Sequence, residues 1–317
     1  MKPIPSPHQL GATLYIPATR QGIAEIVLHN KIPGLRSLVI CLEDAVSDQD
    51  IPAAIENLGC VLQSLAGADI SSSHTERHYP LIFIRPRNEE MGRYLVDNVN
   101  LSAVDGLVLP KFTRASLAGW WDIVGSTHLS MMPTLETEEV FDAQQMNQLA
   151  DSLKTHPCYK RIIALRIGGN DLMNVISLRR SRDFTLYEGP MGYVIKMLVT
   201  VFAARGFSLT APVCEHIDDL RLLEKELVLD IAHGLVGKTA IHPGQIEYIQ
   251  RALMVNGHDY ADALRILNSS QAVFKSQGTM CEPATHRRWA VNILDRAKYY
   301  GIAPEFNEET CKTFNLF

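Results

Sequence analysis

Short apolar runs rich in β-branched residues recur along the chain, and most of the segments between them have helical spacing. In order, the runs are 12–16, 37–42, 80–84, 105–110, 129–133, 161–167, 209–213 and 238–242. Apolar runs without strict alternation suit parallel strands covered on both faces. Between them, IPAAIENLGCVLQSLAG brings Ile51, Ala54, Ile55, Leu58, Leu62 and Leu65 near one stripe and stops at Gly67. The stretches 191–206 and 220–234 repeat that pattern, each with a terminal glycine. This alternation predicts an α/β fold, a (β/α)8 TIM barrel, with a doubly wound open sheet as the alternative.

The 317 residues exceed the roughly 250 that such a barrel needs. The surplus falls at the end. Residues 1–245 read as the barrel, and 246–317 as a C-terminal helical extension of two or three helices without a strand run. That extension is expected to pack on the barrel or on a neighbouring subunit. Segment 71–79 reads as a polar loop.

Composition removes several function classes. The net charge of −5 and the lack of a long Lys/Arg run argue against nucleic-acid and polybasic membrane partners. No apolar stretch reaches the ~18 residues of a membrane span, and the start lacks a signal-peptide pattern, so a cytoplasmic protein is expected. Cys41, Cys60, Cys158, Cys214, Cys281 and Cys311 are far apart and show no zinc spacing, so they read as reduced thiols.

In a barrel, the active face lies at the C-terminal ends of the strands. Every predicted strand leads into an ionisable group there: Arg20; Glu43 and Asp44; Arg85 and Arg87; Lys111; Glu136; Asp171; Glu215; and His242. Glu136 and Asp171 follow consecutive strands, so the fold could set two carboxylates side by side. Such a pair suits Mg²⁺, which keeps waters for substrate to replace, although both residues could instead cap helices. Arg85 could grip a carboxylate bidentately or pair with Glu43 or Asp44. For Lys111 a Schiff base is conceivable, but an ion pair to a rim acid is the preferred reading. His242 reads as a structural anchor rather than a base. Arg179, Arg180 and Arg182 read as a solvated or ion-paired loop, with anion binding as the alternative.

In their order, LYIPATR, SLVICLEDAV, LIFIRPRN, DGLVLPK, MPTLET, LRIGGNDL, EHIDD and KTAIHPGQI resemble the citrate lyase beta subunit and the wider HpcH/HpaI aldolase family. The similarity spans roughly residues 11–246 and is nearer still to a carbon–carbon bond lyase branch found beside tellurite-resistance genes. The resemblance implies Mg²⁺ on Glu136 and Asp171, Arg85 on the keto-acid oxygens, and Glu43 and Asp44 in support. Arg20 and Lys111, at the same predicted rim, are expected on the substrate side, and the family's lyases make a CoA thioester a possible substrate. The resemblance also implies a homotrimer or hexamer in which Glu282, standing where relatives carry an Asp after a Met, serves a neighbouring site. Pro17-Ala18 stands where relatives usually have Pro-Gly, which points to an altered loop near the acyl carrier.

These features imply a Mg²⁺-dependent carbon–carbon lyase acting on a β-hydroxyacyl thioester or hydroxy acid, with a small keto acid as co-product. Thioester hydrolysis on the same barrel is one alternative. A non-catalytic binding component of a stress-response complex is another. A phosphoenolpyruvate-type transferase shares a string like GGNDL but would call for a phosphohistidine motif that this sequence lacks.

Overall fold

The computed structural model describes residues 4–68 and 79–304. Among these, all eight apolar runs become strands of one parallel sheet. They are β1 (Gly11–Pro17), β2 (Ser37–Cys41), β3 (Leu81–Arg85), β4 (Gly106–Leu109), β5 (Ser130–Leu135), β6 (Leu165–Ile167), β7 (Leu209–Thr210) and β8 (Gly237–Ala240). Neighbours pair in sequence order from β1 to β7, and β8 pairs with β1. Three backbone bonds join the β7 and β8 segments: Val236 N–H donates to the Leu209 carbonyl at 2.9 Å, Ala211 N–H to the Gly237 carbonyl at 2.7 Å, and Thr239 N–H to the Ala211 carbonyl at 3.4 Å. The sheet therefore closes as a barrel, and the open-sheet alternative falls.

The intervening segments are α1 (Ile23–Leu28), α2 (Ile51–Gly67), α3 (Glu89–Asn98), α4 (Leu117–Val124), α5 (Ala143–Thr155), α6 (Gly169–Val175), α7 (Pro190–Ala203) and α8 (Leu220–Ala232). Helix α2 buries Ala54, Leu58, Val61, Leu62 and Leu65, most of the stripe expected from its spacing. Side-chain caps start others: Asn88 accepts from Met91 N–H before α3, and Asp219 from Leu222 N–H before α8.

Two strands, β6 and β7, are shorter than their apolar runs by three residues or more. Arg161 ends a 3-10 turn, where its guanidinium donates to the Leu129 and Thr127 carbonyls, so regular pairing in β6 starts only at Leu165. Beyond β7, Pro212 has no N–H for the ladder. Inside the barrel, Leu10, Val39, Leu81, Phe83, Val108, Met132, Ile163, Ala164 and Val236 form a buried apolar plug below the strand ends. Burying one such side chain contributes about 1.5–3 kcal/mol, so this plug helps hold the strands together.

The chain divides into two units, 1–249 and 250–317. A further helix, α9 (Ile246–Ala252), is followed by α10 (Gly257–Asn268), the antiparallel strands β9 (Phe274–Ser276) and β10 (Thr279–Cys281), and α11 (Pro283–Tyr300). The hairpin corrects the expectation of an extension without strands. Three-residue strands are too short to show a period. Their cause is the turn, where Gln277 and Gly278 both take positive φ (47° and 81°), as a two-residue hairpin loop requires. Phe274 and Cys281 then join Val255, Ala263, Ile266, Ala290 and Ile293 in this unit's own core.

The polar segment 71–78 and Cys311 lie outside the described residues. The five described cysteines are free thiols, and no described helix is long and apolar enough to cross a membrane.

Candidate active site

Five strand ends deliver charge to one place. Arg85, the last residue of β3, is 7% exposed and lies between carboxylates. Its Nε donates to Glu43 Oε2 at 2.5 Å and its Nη2 to Glu136 Oε1 at 3.0 Å, while Asp44 Oδ2 lies 3.8 Å from Nη2. Lys111, just past β4, takes a left-handed φ of 47° and donates its backbone N–H to Glu136 Oε1 at 2.7 Å. Its Nζ lies 3.3 Å from Glu43 Oε1.

Glu136 fits this crowd because of Gly168. Both are inward positions on neighbouring strand ends, and a Cβ on residue 168 would collide with Glu136 Cβ and Oε2. The glycine is therefore required for close approach. Asp171 enters from the first turn of α6 and stays half-buried.

The carboxylates bear the electrostatic cost. Burial pushes Glu136 up to about 7; the Arg85 cation opposes that rise and the Asp171 charge adds to it. Asp171 is raised chiefly by burial and next by Asp44, with hydrogen bonding to Glu136 acting the other way. Burial also raises Glu43, against the pull of Arg85. Burial works to lower Lys111, but Glu43 outweighs it and the net direction is upward. An amine held charged by an ion pair, with a side chain 56% exposed, is a poor Schiff-base nucleophile, so the ion-pair reading of Lys111 stands.

Glu136 and Asp171 could hold a hard divalent cation. Both offer oxygen donors, both have carboxyl groups pushed toward protonation chiefly by burial and further by neighbouring carboxylates, and a bound cation would favour their ionised forms. No group of three or more His, Cys, Asp or Glu among the described residues forms a metal cage. Mg²⁺ does not need one, because one or two carboxylates plus water and substrate oxygens suffice.

Other strand-end residues lie outside this cluster. Arg20 is exposed at the end of the β1 loop, where its carbonyl and that of Ala18 accept from Asn57. Ala18 is not among the residues with positive φ, so the Pro-Ala step needs no left-handed geometry. Arg87 ties down the loop after β2 through Asp48 and the Val46 carbonyl. His242 is exposed, and its Nδ1 accepts from Gly244 N–H, the anchoring role read from AIHPGQ.

The arginine trio separates. Arg179 is exposed and sits 4.0 Å from Glu215, and Arg182 is exposed, whereas Arg180 is buried against Glu226. Glu282, in the second unit, precedes α11 half-buried; its Oε2 accepts from Thr285 Oγ1 at 2.9 Å.

The strand-end reading missed two residues, Tyr15 on β1 and Arg166 on β6. Both point into the barrel, with the Arg166 guanidinium 5.2 Å from the Tyr15 ring centre. A charged residue inside the apolar run RIIALRI, two positions before Gly168, was the available signal.

Comparison with known proteins agrees with this architecture. The family model described as a C–C bond lyase of the TIM-barrel fold matches residues 4–302. A (3S)-malyl-CoA thioesterase of Cereibacter sphaeroides is 23% identical over 243 residues, covering 76% of this chain and 75% of that protein. Among solved structures, CitE of Mycobacterium tuberculosis in complex with magnesium, acetoacetate and coenzyme A aligns with a TM-score of 0.65 at 21% identity, covering 91% of this chain and 98% of that one. RipC of Yersinia pestis aligns with a TM-score of 0.57 at 20% identity, over 78% and 96% of the two chains.

Proposed function

Because the chain belongs to the carbon–carbon bond lyase family of the TIM-barrel fold, we propose that its strand-end cluster cleaves or forms a β-hydroxyacyl thioester, with a small keto acid as co-product. The observation that carries this reading is the Glu136–Asp171 pair beside Arg85, four carboxylates facing two cations at one rim. Glu136 and Asp171 hold Mg²⁺, in keeping with the magnesium complex of CitE. A bound Mg²⁺ would supply positive charge that lowers the cost of an alkoxide and of an enolate as the carbon–carbon bond breaks.

The side chains divide the remaining work. Arg85 orients Glu136 through Nη2 and presents a fixed cation to the keto-acid oxygens. Glu43 and Lys111 hold Arg85 and the Glu136 carboxylate in register, since Glu43 binds the guanidinium while the Lys111 amide binds Glu136. Asp44, with a side chain 64% exposed, stands at the entrance where a hydroxyl proton would be exchanged. Coenzyme A carries the acyl group, a choice supported by the named ligand of CitE and the named substrate of the thioesterase. Glu282 serves as an acid offered to a neighbouring copy, so mixing E282Q with E136Q should restore part of the activity that each variant lacks.

Incubation with a panel of β-hydroxyacyl-CoA compounds and Mg²⁺ tests the proposal. A keto acid and a shortened acyl-CoA in equal amounts is the expected result. Free hydroxy acid and free thiol without a keto acid would favour hydrolysis, the activity named for the Cereibacter relative.

A further inference from the structure

One strand layer below Glu136 lies a buried cation whose hydrogen bonds go to uncharged hydroxyl groups and which meets the charges of Glu136 and Arg85 only through space. Arg166 is 2% exposed; its Nη2 donates to the Thr239 hydroxyl at 2.5 Å, and its Cζ lies 5.2 Å from the Tyr15 ring centre. Its Nη1 is buried and has no hydrogen-bond partner among the described residues. Arg85 differs, being already paired with Glu43 and Glu136. A buried guanidinium nitrogen left unbonded is costly and calls for an acceptor.

The register shows what kind of acceptor would fit. Thr134 on β5 is level with Arg166, and Arg166 with Thr210 on β7, so the three side chains leave adjacent parallel strands on the same side. The hydroxyl oxygens of Thr134 and Thr210 are also buried without partners. Three polar atoms in one layer can all donate, and Arg166 can do nothing else. A carboxylate accepts through two oxygens with about four lone-pair sites, enough for all three. Tyr15 keeps this layer in touch with the site above, since it is half-buried and close enough to favour both the Arg166 and the Arg85 cations.

We propose that Arg166, flanked by Tyr15, Thr134 and Thr210, binds a second carboxylate of the substrate, so that the cleft selects a dicarboxylic keto acid over a monocarboxylic one. This rests on the lyase reading and names its substrate class. Arg85 takes the keto-acid end nearest Glu136, and Arg166 takes the far end.

Calorimetric titration of the full chain with Mg²⁺ and either fresh oxaloacetate or pyruvate tests the assignment. The expected result is at least about a tenfold preference for the diacid, ~1.4 kcal/mol. In R166M that ratio should fall to near one. R166K keeps the charge but not the planar fork and should retain only part of the preference. Y15F, a milder change, should weaken diacid binding several-fold and keeps the test available if R166M does not fold. Equal affinity of the parent for both acids, or an unchanged ratio in R166M, would overturn the proposal. If the parent binds neither acid and E136Q leaves Mg²⁺ binding unaltered, the lyase reading fails with it. If both acids bind equally and E136Q abolishes Mg²⁺ binding, the Arg166 assignment fails alone.

Discussion

The barrel holds two charged clusters, one fully buried and one open at the rim, and they are built on opposite plans. Between β8 and α8, Lys238 lies 2.9 Å from Asp230 and 3.2 Å from Glu226, and Arg180 pairs with Glu226. Tyr187 donates to Asp230 at 2.6 Å, and Leu186 N–H donates to Glu226 at 2.8 Å. Two cations meet two carboxylates there. At the strand ends, Arg85 and Lys111 face Glu43, Asp44, Glu136 and Asp171, and three of those carboxyl groups are pushed upward. Burial of charge is common to both, so it does not mark the site. Imbalance does: the balanced cluster fixes the loop before α7 to α8, while the unbalanced one has an unmet demand for positive charge.

Changes in the balanced cluster should appear as lost stability, and changes at the rim as lost activity. The largest effect is expected for Glu226→Gln, which leaves Arg180 and Lys238 with Asp230 alone. Denaturant unfolding should lose about 3–5 kcal/mol, while Mg²⁺ affinity stays close to that of the parent. Next comes Glu136→Gln, expected to cut turnover by at least about 100-fold, ~2.7 kcal/mol of barrier. It should not cost stability in metal-free protein, because burial already disfavours the ionised Glu136 carboxylate. An activity loss that only follows unfolding would erase the contrast between the clusters.

Smaller changes sharpen it. Arg85→Lys keeps the charge but cannot reach Glu43 and Glu136 together through a planar fork, so about a tenfold loss in kcat/KM is expected from steady-state kinetics. The smallest effect belongs to Lys111→Met. Its ammonium end is exposed and Glu43 keeps Arg85 as a partner when Lys111 is lost, so activity should fall by a few-fold at most. Borohydride with substrate should leave no adduct on the parent enzyme; a trapped adduct lost in K111M would revive the Schiff-base mechanism.

Much of this was legible in the chain, for identifiable reasons. Buried parallel strands need unbroken apolar runs and their ends must meet solvent, so both the barrel and the convergence of Glu43, Arg85, Lys111 and Glu136 could be read from position. Tyr15 and Arg166 escaped that reading because they lie inside strands, where parity rather than strand end decides which way a side chain points. The β9–β10 hairpin escaped it because each strand is three residues long and is set by a turn, not by a period. Arg180 looked like part of a surface trio, since nothing local in RRSR distinguishes the arginine that turns inward to Glu226.

Mg²⁺ titration of the parent, E136Q and D171N proteins by calorimetry, with E226Q as the structural counterpart, tests the central claim most directly. The unbalanced rim predicts Mg²⁺ binding that is lost or weakened at least about tenfold in both E136Q and D171N and kept in E226Q. Unchanged Mg²⁺ affinity in both E136Q and D171N would contradict it.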